Sequence, residues 1–105
     1  MITTTTPFIE GKQVQQYLGI VSAQTIIGVN LLKDIVANIK DVFSGRNSEY
    51  EKVIDEARTS ALNELVQKAE ALGATAIMGE HLHFDTVGVG GSILLVLVTG
   101  TAVRV

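Results

Sequence analysis

The chain has no cysteine, no tryptophan and one proline, Pro7. Without cysteine there can be no disulfide, no thiolate metal site and no thiol nucleophile. Charge is also scarce, at 18% of residues, with a net charge of −3. No stretch concentrates Lys or Arg, so the basic footprint of a nucleic-acid-binding surface is missing and that partner class is excluded. Hydrophobic runs are short. The longest, residues 93–98, falls far below the roughly 20 residues a membrane-spanning helix needs. No basic segment precedes an apolar one at the N-terminus, so no secretory signal is read there and a cytoplasmic protein is expected.

What the chain does have is apolar residues, 47% of its 105 positions. That length suits one small domain, taken as residues 1–105. The balance is apolar for an isolated domain of this size, which has much surface to keep wet. Some apolar surface is therefore expected to meet another subunit.

The clearest local signal is a helix over residues 48–72. Ser48 and Glu51 have the spacing of a capping box. Tyr50, Val53, Ile54, Ala57, Ala61, Leu62, Leu65, Val66, Ala69 and Leu72 recur in steps of three and four, which makes one apolar stripe. Gly73 follows, where a left-handed cap is expected. Ahead of this helix, residues 2–6 read as a short strand stopped by Pro7. Residues 14–29 read as a longer strand, with Tyr17, Val21, Ala23, Ile27 and Val29 on one parity and Leu18, Ile20 and Ile26 on the other. Gly19 and Gly28 are expected to mark bulges or close approaches. Residues 31–43 read as a first helix, capped by Asn30 and ended by Ser44 and Gly45.

After Gly73 the β pattern returns. Residues 74–87 and 92–105 predict two long strands joined by the glycine-rich stretch 88–91, a hairpin. Strands of this length reach roughly 45 Å, and the long helix roughly 36 Å, so the helix can lie along most of the hairpin. The expected fold class is α+β, in the order β-β-α-α-β-β, with helices packed on one face of a mainly antiparallel sheet.

The last strand carries a quaternary signal. Ile93, Leu95 and Leu97 point to one side, and Leu94, Val96 and Val98 to the other. A sheet with helices on one side and water on the other alternates apolar and polar residues. This strand is apolar on both faces, so Ile93, Leu94, Leu95, Val96, Leu97 and Val98 are the candidate interface of a homo-oligomer.

Two stretches carry candidate chemistry. His81, His83 and Asp85 lie two residues apart, so a regular strand presents all three on one face and Glu80, Leu82 and Phe84 on the other. Two imidazoles and a carboxylate suit a divalent ion such as Zn, Ni or Cu, with a bulge at Gly79 or a ligand from an adjacent subunit needed to complete the site. The plain alternative is a solvated or interface-facing polar strand. Arg46, Asn47 and Ser48 lead into the long helix, whose free N–H groups suit an anion or a contact between subunits. Glu49 and Glu51 in the first turn compete for that role. The loop 88–91 is not a nucleotide fingerprint, because Ile93 stands where the third glycine belongs and a strand follows. No serine or threonine has a histidine at suggestive spacing, so no enzyme activity is expected.

Several landmarks resemble the YbjQ-type family of small bacterial and archaeal proteins, whose usual label is heavy-metal-binding. They are Thr4-Thr5-Thr6-Pro7, Ile9-Glu10-Gly11-Lys12, Tyr17-Leu18-Gly19-Ile20-Val21, Gly45-Arg46-Asn47-Ser48-Glu49-Tyr50-Glu51, Leu72-Gly73-Ala74, Gly91-Ser92 and Gly100-Thr101-Ala102-Val103. The resemblance spans nearly the whole chain. It implies a fold akin to the dodecin subunit and a ring-shaped homo-oligomer, a pentamer. It supplies no catalytic motif. The absence of cysteine gives soft metals no support here. His81 and His83 stand where the family is associated with acidic residues, so they are not a family signature. Two function classes follow: a metal-binding oligomer, and a ring holding a small organic ligand between subunits as dodecin does, with a purely structural assembly as the remaining alternative.

Overall fold

The structure is a computed structural model that describes residues 1–28, 48–88 and 93–105, with backbone alone for 48–50. The predicted helix over 31–43 and the loop residues 89–92 lie outside the described residues, as do Arg46 and Asn47.

Four strands and one helix are described: β1 (Ile2–Thr3), β2 (Gln16–Ile27), α1 (Ser48–Ala71), β3 (Ala76–Val87) and β4 (Ile93–Arg104). The sheet order is β1-β3-β4-β2. β3 and β2 each pair antiparallel with β4, and β1 pairs parallel with β3. The class is α+β with a mixed, mainly antiparallel sheet. The strands are shorter at their ends than the apolar pattern suggested, by about two residues.

The core forms where α1 lies on one face of this sheet. Ala57, Ala61, Leu65 and Ala69, spaced four apart, are buried. They meet Val21, Ala23 and Ile27 of β2, Leu94, Val96, Val98 and Ala102 of β4, and Ile77 of β3. Three alanines in that row hold the helix backbone close to the sheet, and Leu65 supplies the bulk. A Leu→Ala change in such a site costs about 2–5 kcal/mol. The helix ends in a Schellman motif: Ala74 N–H donates to the Ala69 carbonyl at 3.0 Å and Gly73 N–H to the Glu70 carbonyl at 2.9 Å. Leu72, expected in the buried stripe, lies beyond the last helical turn and is exposed.

Both neighbours of β4 carry an irregularity, over adjoining stretches of it. On β2 the register shifts between Tyr17 and Gly19, opposite Val103 and Ala102. On β3 it shifts between Met78 and His81, opposite Thr101 and Thr99. Each shift inserts one extra residue against β4, the definition of a bulge. The bulge at Leu18 corrects the parity read from sequence. Tyr17 shares a face with Ile20 and Ile26 and is exposed, while Leu18 packs into the core beneath α1.

A second, smaller cluster sits on the face of the sheet away from α1. Ala76, Met78 and Val103 are buried there under Ile9 and Val14 of the N-terminal segment and Val105. That segment runs beside β3, with Thr4 N–H donating to the Ile77 carbonyl at 2.9 Å. It covers one end of this face and leaves the other end open.

Candidate metal site

β3 emerges from the N-terminal cover at its bulge. Gly79 adopts φ 62°, a left-handed conformation open to glycine. Gly79 N–H donates to the Thr6 carbonyl at 2.9 Å and Glu80 N–H to the Thr4 carbonyl at 3.0 Å. The threonine run is thereby an edge segment tied to β3, with the Thr4 and Thr6 hydroxyls bonded to each other at 2.8 Å. β4 makes room for the bulge through Gly100. A Cβ there would sit 2.5 Å from Cγ2 of Ile77, well inside contact distance.

Beyond the bulge, the ladder pairs His81 with Thr99, His83 with Leu97 and Asp85 with Leu95. Leu82, between the histidines, packs into the core beneath α1. The histidines therefore occupy the opposite, open face, as their spacing predicted. Both are exposed. Their ring centroids are 6.4 Å apart with planes 23° from parallel. On one tetrahedral ion with metal–nitrogen bonds near 2.0–2.1 Å, two imidazole centroids lie roughly 5 Å apart. Near-parallel rings do not aim their nitrogens at one point, so holding one ion requires both side chains to change rotamer, which exposed residues can do.

Asp85 does not complete the group. Its carboxylate turns to its own backbone, accepting the Thr86 N–H at 2.8 Å. Among the described residues no three His, Asp or Glu side chains gather as a metal cluster. The arrangement thus brings together two of the three predicted ligands. With no cysteine in the chain, the donor set fits a borderline ion that accepts imidazole and not a thiolate-demanding one.

The candidate interface residues divide between the two faces. Leu94, Val96 and Val98 belong to the intramolecular core, which removes them from any interface. Ile93, Leu95 and Leu97 are half-buried on the open face. There they are joined by Tyr17, Ile20 and Ile26 of β2, which the sequence reading left out; Ile20 is 83% exposed. Gly19 was the signal that could have placed Tyr17 there. The candidate anion site at Arg46, Asn47 and Ser48 lies outside the residues whose side chains are described.

Clefts are shallow. One of about 200 Å³, lined by Thr25, Ile27, Val53, Glu56, Ala57 and Ser60, lies between β2 and α1. A broader one of about 850 Å³ runs along the polar side of α1 and is lined by residues of that helix alone. Neither combines an apolar enclosure with converging polar groups. Among the described residues no helix is long and apolar enough to cross a membrane.

The chain is similar to known proteins over its full length. Two proteins from strains of Caulobacter vibrioides, each named UPF0145 protein, are 48% identical over 103 residues, covering 98% of this chain and 98% of theirs. The crystal structure of a protein with unknown function from Pediococcus pentosaceus, of the DUF74 family, matches with a TM-score of 0.66 at 20% identity. It covers all of this chain and 97% of that one, and shares the fold. The family described as "Putative heavy-metal-binding" matches residues 1–105, and this chain therefore belongs to that YbjQ-type family.

Proposed function

We propose that this protein is a homo-oligomeric binding protein that takes a divalent metal ion at His81 and His83. The observation that carries the reading is the imidazole pair itself, two exposed rings 6.4 Å apart on one strand face. The family's description supplies the metal class, and the chemistry of the donors narrows it to Zn, Ni or Cu. Binding, and not catalysis, is the reading proposed.

Assembly is supported by the composition of that open face. From Tyr17 to Ile26 on β2, and from Ile93 to Val103 on β4, its residues carry no charge. A water-facing sheet is normally studded with charge, which also protects it from association. Tyr17 and Ile20 at one end of this face, and Ile26 and Leu95 at the other, are the apolar residues proposed to meet a neighbouring copy, with the uncharged Ser22, Gln24 and Thr99 between them. A ring is the arrangement implied by the resemblance, with five subunits, and a cytoplasmic location belongs to the same proposal.

Calorimetric titration of Zn, Ni and Cu into chelator-stripped protein tests the metal reading. The parent is expected to bind at sub-millimolar metal, and a His81→Ala, His83→Ala double variant is not. Equal binding by both removes the site, and no binding by the parent removes the metal reading altogether.

A further inference from the structure

We infer that the ion held by His81 and His83 is shared between two copies of the chain, each giving one imidazole pair. The inference rests on the proposed metal site and goes beyond it by naming where the missing ligands come from.

The first ground is that one copy cannot close the site. The sequence holds two histidines and no cysteine. Across the open face, the positions beside His81 are Thr99 and then Ser22, and those beside His83 are Leu97 and then Gln24. None of the four is a strong ligand for Zn, Ni or Cu, and among the described residues Asp85 does not gather with the two histidines into a metal-holding group. A closed zinc site takes four ligands, commonly His, Cys or carboxylate, and two imidazoles are half of one.

The second ground is access. The N-terminal segment pairs with β3 only as far as Glu80. From His81 to Val87 the outer edge of β3 has no strand neighbour among the described residues. His81, His83 and Asp85 are all exposed along it. A second copy can bring its own β3 edge alongside without displacing anything described here. Two pairs related by a two-fold axis through the ion supply four nitrogens, and a two-fold contact is the commonest way identical chains meet.

Charge favours the same meeting. Four imidazoles in the ligating state are neutral, so the dication itself is uncompensated. Asp85 brings one negative charge per copy along the same face, two residues from His83. β2 and β4 present no cation on this face to oppose it.

Two consequences follow. The metal stoichiometry is one ion per two chains. An odd-membered ring cannot pair all its sites internally, so metal would join two rings through their β3 edges.

The experiment is native mass spectrometry with sedimentation velocity on chelator-stripped full-length protein, titrated with zinc chloride and then with nickel chloride. The expected result is half an ion per chain and a doubling of the assembly mass, reversed by chelator. Both changes are expected to be lost in a His81→Gln, His83→Gln variant that keeps the metal-free mass of the parent. One ion per chain with no change of mass overturns the sharing and leaves the metal site standing. No bound metal removes the site and the sharing together. Doubling that persists in the double variant assigns the contact to other residues and overturns the inference.

Discussion

The two faces of the sheet are built from the same strands and do opposite things. On β4, Leu94, Val96, Val98 and Ala102 look toward α1 and are buried, while Ile93, Leu95 and Leu97 look away and remain partly open. Both sets are aliphatic. The difference lies in what covers them, and it teaches that hydrophobicity along a strand reports burial only after the second layer is known. The covered face has its partner in the same chain. The open face has an N-terminal flap at one end and, at the other, apolar residues beside two histidines.

Substitutions can break this contrast at several depths. The largest effect is expected on the covered face. Val96→Asp buries an unpaired charge beneath α1, which costs more than a small domain's total stability, and circular dichroism should show an unfolded chain at 25 °C. Leu65→Ala on the helix side should cost about 2–5 kcal/mol, read as a lower denaturant midpoint with an unchanged slope. Gly100→Ala should be destabilising by about 1–3 kcal/mol, because its Cβ would strike Ile77 where the two strands approach. On the open face, Leu95→Asp should leave the circular dichroism spectrum intact and lower the sedimenting mass; an unchanged assembly would show that this face is not where copies meet. The smallest effect belongs where α1 meets β2, the edge strand among the described residues. Lys68, on α1, donates to the Ser22 carbonyl at 2.9 Å and sits 3.5 Å from Glu64. Half-exposed as it is, Lys68→Met should change stability by about 1 kcal/mol or less in thermal unfolding.

Much of this was legible in the residues. The helix over 48–71 announces itself through the four-residue spacing of Ala57, Ala61, Leu65 and Ala69, and its end through Gly73. The two long strands after it follow from β-branched runs around a glycine loop. The two-faced character of residues 93–98 was visible too, since alternation needs no knowledge of partners. What stayed hidden is phase. Simple alternation puts Tyr17 on the side of Val21, whereas a bulge shifts parity without changing composition. The flap over Ala76, Met78 and Val103 was equally hidden: Ile9 and Val14 sit in an irregular segment whose destination is set by tertiary contacts alone. At the candidate site, the two-residue spacing puts the histidines on one face, away from Leu82. It could not foresee that the Asp85 carboxylate would satisfy the neighbouring N–H, a local competition settled by rotamer and not by sequence distance.

A strand has a reading frame of two, and the extra residue between Met78 and His81 works as a frameshift. Were the ladder to run on unbroken from the Met78–Thr101 pair, His81 would stand opposite Val98 and Leu82 opposite Leu97. Every downstream side chain would change sides. Two imidazoles and a carboxylate would go under the helix, and Leu82 and Phe84 would come out beside Ile26 and Leu95. The frame is held by the carbonyls of Thr4 and Thr6, which take the Glu80 and Gly79 N–H groups that a bulge would otherwise strand. An N-terminal stretch with no ligating chemistry of its own thereby decides which side of the sheet the histidines face.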